Sequence, residues 1–301
     1  MILVAGEALF DLVSRDGQQL AAHAGGGPFN AARTLGRLGR RVGFLGRVST
    51  DRFGTVLAGM LAEDGVYLDP VLRTDSPTTL ALAELDSASD ARYRFYERGT
   101  SAPDVTPELA LALIPADIAM LHVGTLGLVL DPMAGALEAL VNVVADRALV
   151  FVDPNCRPSA VDDEVGYRDR IARVLSAAHV AKVSADDLAW LHPGVEPVAA
   201  ARAVRALGPA VVLLTRGGDG ATVVGLDGSF DVPAPAVDVV DTIGAGDAFG
   251  AGFLAWWDEH GLGVADLTDA ALLEQATAFA ARVAALTCAR PGASPPTRAE
   301  L

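Results

Sequence analysis

The residues best suited to chemistry lie near the end of the chain, in Asp241-Thr-Ile-Gly-Ala-Gly-Asp247-Ala-Phe-Gly-Ala-Gly-Phe253. An extended lead (PAVDVVD) runs into Gly244, Ala245 and Gly246, and then into an apolar run containing Trp256 and Trp257. Three residues with little or no side chain at the start of a helix let an anion approach the unpaired backbone N–H groups. The helix dipole favours negative charge at the same place. Asp247, just inside that turn, is placed to take a proton from an attacking hydroxyl while the amides hold a transferring phosphoryl group. The same pattern also reads as an ordinary tight helix start with a first-turn carboxylate. It is not a Walker loop, because no Gly-Lys-Ser/Thr follows.

A second cluster, Gly25-Gly26-Gly27-Pro28-Phe29-Asn30, ends in the spaced glycines Gly36 and Gly39. Glycines let the backbone come close to a ligand, and Pro28 suits a first helical turn. Asn30 offers both a donor and an acceptor, which matches sugar hydroxyls. A flexible turn before a helix is the plainer alternative. No G-x-G-x-x-G follows the first strand, so a dinucleotide fingerprint is a poor match.

These residues need a scaffold, and the pattern around them supplies one. Short β-branched runs at 2–6, 118–124, 148–153, 179–184 and 210–218 predict buried strands. Amphipathic runs at 28–38, 51–64, 132–146, 167–178, 198–206 and 244–258 predict helices. This alternation implies an α/β fold with a mainly parallel sheet covered on both faces, its sites at the carboxyl ends of the strands. Segments at about 11–22 and 78–100 break the alternation with strand-like runs alone. They predict a small antiparallel β-sheet lid inserted in one domain spanning 1–295. Residues after Pro291, including 296–301, are expected to form a poorly ordered tail.

Composition narrows the function classes. With 301 residues and 51% hydrophobic content, a large core is available. The net charge of −15 argues against nucleic acid or anionic membrane as the main partner. Any phosphate site must therefore be built locally, and Lys182 is the sole lysine. The most apolar long window, 136–152, is broken by Glu138, Asp146 and Arg147, so no membrane span is expected. The start, MILVAGEALFDLV, reads as a buried strand and not as a signal peptide. Cys156 and Cys288 lack metal-ligand spacing and read as two buried thiols of a cytoplasmic protein.

Together the two glycine motifs, more than two hundred residues apart and in this order, resemble the signatures of the ribokinase-like (PfkB) carbohydrate kinase family. Other segments agree. Gly6-Glu7-Ala8-Leu9-Phe10-Asp11 resembles the family's first strand and its sugar-contacting Asp. Asp153-Pro154-Asn155-Cys156-Arg157 and Lys182-Val183-Ser184-Ala185-Asp186-Asp187 resemble elements of fructokinases and 2-keto-3-deoxygluconate kinases. Thr215-Arg216-Gly217-Gly218-Asp219-Gly220 resembles a nucleotide-side loop.

The resemblance implies a doubly wound, ribokinase-like fold with a β-sheet lid, ATP with Mg²⁺, and a homodimer through the lids. It makes Asp247 the base, with the amides of Gly244, Ala245 and Gly246 as its anion hole. Asp11, Gly26, Gly27 and Asn30 would bind the sugar, with contributions from Arg98 and Arg157. Asn155, Lys182, Ser184, Asp187, Thr215, Gly217 and Gly220 would serve the nucleotide. Asp241 and Thr242 would hold K⁺.

Departures bear on the substrate. Ser184 and Asp187 stand where ribokinase-type members carry Asn and Glu, which points to the fructokinase or ketodeoxygluconate kinase side. Phe29 is a bulky ring that would reshape the pocket. Arg94 or Arg98 could hold a sugar-acid carboxylate, or belong to an exposed strand of solvated charges. Arg157 could meet substrate or phosphates, or simply an ordinary carboxylate partner. His23 precedes the glycine loop and could touch the ligand, or be an incidental surface histidine; His122, His179, His192 and His260 lack metal spacing and read as structural, and Trp256 and Trp257 read as helix core. The expected function is ATP-dependent phosphorylation of a primary hydroxyl of a small sugar or sugar acid. Ribokinase or nucleoside kinase chemistry, a non-catalytic sugar sensor, and last a nicotinamide oxidoreductase are the alternatives.

Overall fold

The computed structural model describes residues 1–14, 20–85 and 91–301. The chain begins with β1 (Ile2–Ala5), β2 (Leu9–Ser14), β3 (Leu20–Gly25), α1 (Gly27–Arg37), β4 (Val42–Ser49), α2 (Arg52–Glu63) and β5 (Val71–Thr74). Then come β6 (Leu80–Leu85), β7 (Ala91–Tyr96), α3 (Pro107–Ala112), β8 (Met120–Gly124), α4 (Met133–Val144), β9 (Leu149–Asp153), α5 (Glu164–Ser176) and β10 (Val180–Ser184). The remainder is α6 (Ala185–Leu191), α7 (Pro197–Leu207), β11 (Val211–Thr215), β12 (Ala221–Gly225), β13 (Gly228–Val232), α8 (Ala245–Glu259) and α9 (Ala270–Cys288).

Nine strands form the main sheet in the order β13-β12-β11-β10-β9-β8-β1-β4-β5. Pairing is parallel from β5 through to β11 and antiparallel across β11, β12 and β13. Successive residues of a strand face opposite sides, so the apolar runs feed two cores. Ile2, Val4 and Phe151 point to the side covered by α1, α8 and α9, whereas Leu3, Ala5 and Val152 point to the side covered by α4, α5 and α7. β1 lies between β8 and β4, third from the β5 edge, and the chain leaves it first toward β4 and later continues to β8 on its other side. The crevice between the ends of β1 and β8 is therefore a topological switch point, where ligands of such folds collect.

The second sheet has the order β3-β2-β6-β7. Its outer pairs are antiparallel, but β2 and β6 run parallel, so the small sheet is mixed and not purely antiparallel as the sequence implied. The reason is connectivity: β2 and β6 lie far apart in the chain and no hairpin joins them. The parts of the expected lid at 15–19 and 86–90 lie outside the described residues.

The end of the chain is docked, contrary to the expectation of a poorly ordered tail. Arg37 Nε donates to the Pro295 carbonyl at 2.7 Å, and Arg290 and Arg298 pair with Glu300 and Glu259. Pro295 and Pro296 are buried. Trp256 and Trp257 are core, as expected. Trp257 is fully buried, stacks on Phe253 at 5.3 Å and donates its indole N–H to Gly263. Trp257→Ala should lower unfolding stability by about 3–5 kcal/mol in urea titrations, the range for deleting a buried large aromatic.

Candidate active site

The catalytic candidate arrives by way of a left-handed glycine. Gly244 caps α8 with φ 76°, and a Cβ there would meet Ala293 at 2.7 Å; only glycine accepts both conditions. The N–H groups of Gly244 and Gly246 donate to no protein acceptor among the described residues, while that of Ala245 donates back to the Thr242 carbonyl at 3.2 Å. Of the three amides expected to form an anion hole, those of Gly244 and Gly246 are thus left open among the described residues, while that of Ala245 serves the turn. Asp247 follows in the first turn and is buried. Asn30 Nδ2 donates to its Oδ2 at 2.9 Å, joining the two glycine motifs. The other end of that amide, Asn30 Oδ1, is buried and unpartnered beside the cleft. Burial holds the Asp247 carboxyl above the usual aspartate range, against the opposing pull of Asn30, Lys182 and Arg157.

Beneath the turn lies Lys182 on β10, only 3% exposed. Its Nζ donates to Asp153 Oδ2 at 2.9 Å and would lie 3.0 Å from a Cβ at Gly246. A larger residue at 246 would therefore displace the ammonium or the turn. Burial works against the charge on Lys182, yet Asp153, Asp187 and Asp247 hold its pKa above the ordinary value. The site therefore keeps one fixed positive charge below two unpaired amides, a cradle for phosphate.

The opposite wall carries the first glycine motif, expected from the sequence to meet a sugar. Asp11, Gly26, Gly27, Asn30 and Arg157 all line one cleft with Asp247, of about 720 Å³. Burial raises Asp11 to about 6, with Asp247 adding to the effect and Arg157 and His23 reducing it. Arg157 Nη1 donates to the Asn155 carbonyl and side chain at 2.9 and 2.6 Å. Among the described residues no carboxylate lies within ion-pair distance of Arg157, so its charge faces the cleft and not an ordinary partner. Asn155 accepts a left-handed φ of 39°, which Asn tolerates better than most residues.

From the phosphate end, Thr215, Thr242 and Gly246 continue into an apolar slot of about 250 Å³. Gly217 and Gly220 form one side, and Phe249, Ala281, Ala285 and Cys288 the other. A flat aromatic base fits such a slot. Cys288 is half-buried in its wall, so only Cys156 of the two thiols is buried as expected.

Four expected contributors fall elsewhere. Arg98 has a side chain 84% exposed and pairs loosely with Glu97 and Asp162, outside the cleft. Asp187 is buried and closes a capping box with Ser184 while accepting the Cys156 N–H at 2.6 Å, so it shapes the 153–157 loop from within. Asp241 accepts from Ile243 N and Gly292 N, outside both cavities. Phe29, on the buried face of α1, is fully buried and lines no part of the cleft, so it does not reshape the pocket. Ser184 stays at the cleft edge, beside Asp186.

The sequence analysis missed Glu7, Thr125 and Phe95, which also line the cleft. An acid within the apolar start VAGEALF was a usable signal for Glu7; nothing in the sequence marks the left-handed Thr125. His122 is buried against Phe151, its ring nitrogens unpartnered, and burial with the nearby Lys182 pushes it down to about 4.

The wider comparisons agree with this geometry. The pattern described as pfkB family carbohydrate kinase matches residues 1–300. A fructokinase of Rhizobium leguminosarum bv. trifolii is 36% identical over 261 residues, covering 85% of this chain and 79% of the relative. Fructokinase from Vibrio cholerae O395, solved with fructose, ADP and calcium ion, is 26% identical with a TM-score of 0.84, covering 97% of this chain and 94% of that one. Fructokinase with bound ATP from Xylella fastidiosa is 27% identical with a TM-score of 0.86, over 97% and 93% of the two chains. A buried acid in the first turn of a glycine-led helix, set in a cleft that continues into an apolar slot, lies in a chain matched over residues 1–300, and this chain belongs to the pfkB family of carbohydrate kinases.

Proposed function

We propose that the chain is a fructokinase, transferring the terminal phosphoryl group of ATP to a primary hydroxyl of fructose. The observation that carries this is Asp247, buried between the sugar wall and the Gly244 and Gly246 amides. The fructokinase relatives support the choice of sugar. The described lid arginines, Arg94 and Arg98, are exposed and away from the cleft, which also favours a neutral sugar. One observation favours a sugar acid such as 2-keto-3-deoxygluconate: Arg157 is a cation in the cleft without a carboxylate partner.

In this scheme Asp11, Asn30 and the Gly26-Gly27 backbone orient the sugar. Asp247 accepts the proton of the hydroxyl as its oxygen attacks the γ-phosphorus in line. The amides and Lys182 bear the charge on the phosphoryl oxygens, and the lid excludes water. ATP lays its base in the apolar slot, with Thr215, Gly217 and Gly220 along its path.

Mg²⁺ would supply charge neutralisation of the phosphates. Among the described residues no three His, Cys, Asp or Glu groups converge on one point. The donor set therefore fits a cation held chiefly by the nucleotide itself and by water, with Asp186 at the cleft edge able to reach it through water. Asp241 fits a K⁺ ion as well, because two backbone bonds leave lone pairs on its carboxylate. Lid edges β3 and β7 offer unpaired strand edges for a homodimer. No helix among the described residues is long and apolar enough to cross a membrane, and a cytoplasmic site, where ATP is abundant, suits the reaction.

Three outcomes follow from these roles. Asp247→Asn should retain fructose and ATP binding by calorimetry while turnover in a coupled ATP assay drops about 10³-fold; near-normal turnover would reject the base. Because only ionised Asp247 accepts the proton and burial raises its pKa, kcat/KM should fall as pH is lowered. That acid limb should lie above the ordinary aspartate value of about 4. Lys182→Met should raise the ATP KM and, by stranding the buried Asp153, cost about 3–5 kcal/mol of stability. Adding Asp153→Leu should restore stability without restoring activity.

A further inference from the structure

Glu7 lies just past β1 at the switch point and is 2% exposed. Three donors from two other segments converge on its carboxylate. The Gly27 N–H, in the first turn of α1, donates to Oε1 at 3.2 Å, and the hydroxyl of Thr125, just after β8, donates to the same oxygen. The Gly127 N–H donates to Oε2 at 2.9 Å. The contact is close along the backbone too, since a Cβ on Gly26 would fall 2.7 Å from the Glu7 carbonyl oxygen. One buried acid thereby ties the glycine loop of α1 to the segment after β8, and no step of the scheme above uses it.

Thr125 gives this tie a mechanical meaning. Its φ is 56°, a left-handed conformation that a β-branched residue keeps only when its surroundings impose it. Glu7 holds its hydroxyl, and its Cγ2 presses to 2.4 Å from where a Cβ on Gly27 would stand. Gly27 in turn is the closest glycine of the loop to the base: a Cβ there would lie 3.1 Å from Asp247 Oδ1. The position of the sugar wall relative to the base is therefore set through Glu7 and Thr125.

We infer that Glu7 is a positioning residue for the sugar, fixing Thr125 and the Gly26-Gly27 loop against Asn30 and Asp247 without exchanging a proton with substrate. The two oxygens of the carboxylate together accept from all three donors. Burial, with the charge of Asp247 adding to it, raises Glu7 to about 7, against the pull of the Thr125 and Gly127 hydrogen bonds. The groups bonded to it from α1 and from the segment after β8, Gly27, Thr125 and Gly127, are uncharged.

The inference rests on the kinase reading and is tested on the full chain by varying fructose and ATP separately. Glu7→Gln keeps the shape, but its amide nitrogen cannot accept a hydrogen bond. The fructose KM should rise about tenfold, the effect of one lost charge-assisted bond, while the ATP KM stays within about twofold. The rise in thermal midpoint produced by fructose without nucleotide should shrink in step. Thr125→Val removes one donor and keeps the branched shape; it should move the same constants less, and it carries the test if Glu7→Gln does not fold. An unchanged fructose KM, or fructose and ATP KM values rising together, overturns the inference. A wild-type chain that does not phosphorylate fructose counts against the substrate assignment instead, and the sugar that does raise the midpoint then replaces fructose in the same comparison.

Discussion

A chain with a net charge of −15 that handles polyphosphate must concentrate positive potential at one point, and the structure does so with the ammonium of Lys182. Isolated, that buried charge would be costly; it is tolerable because Asp153 lies 2.9 Å away and Asp247 and Asp187 add to the field. The pair sits on adjacent strands, β10 and β9, where the parallel register aligns them. The glycine turn of α8 then rests directly above. The other features of the site follow from this point: glycine at 246 because the lysine is close, a left-handed glycine at 244 to start the helix there, and an acid at 247 beside the charge it must work against.

A second constraint joins the two ends of the chain. The Asn30–Asp247 bond bridges α1 and α8, and α1 is fixed in turn by its contacts with the last residues. Arg33 reaches the Ala293 carbonyl, and Ala293 packs against Gly244. The tail is thus part of the support for the catalytic turn. Two motifs that are remote in sequence become one site because the chain builds the sheet outward on both sides of β1, toward β4 first and toward β8 later.

Much of this was legible in the residues. The strands that build the switch point are continuous apolar runs, and glycine in front of an amphipathic helix announces a close backbone approach. What escaped has physical reasons. The antiparallel pair β12 and β13 and the long helix α9 carry no punctuating motif. The base slot is walled by small apolar residues from separate segments, so no local pattern reveals it. Arg98 was expected from its charge and Asp187 from a motif, but side-chain direction decides their roles: one turns to solvent and the other turns inward to cap α6. Glu7 was visible only as an acid in an apolar run, because its partners come from two distant segments.

The central claim is that the phosphoryl group is held over Lys182 by the α8 turn with Asp247 on the sugar side. A crystal structure with fructose, ADP and a planar aluminium or magnesium fluoride tests it most directly. The account predicts the fluoride within hydrogen-bond distance of the Gly244 and Gly246 amides, and an Asp247 oxygen on the primary hydroxyl of fructose. A fluoride bound away from that turn, or a sugar whose primary hydroxyl meets a different acid, would contradict it.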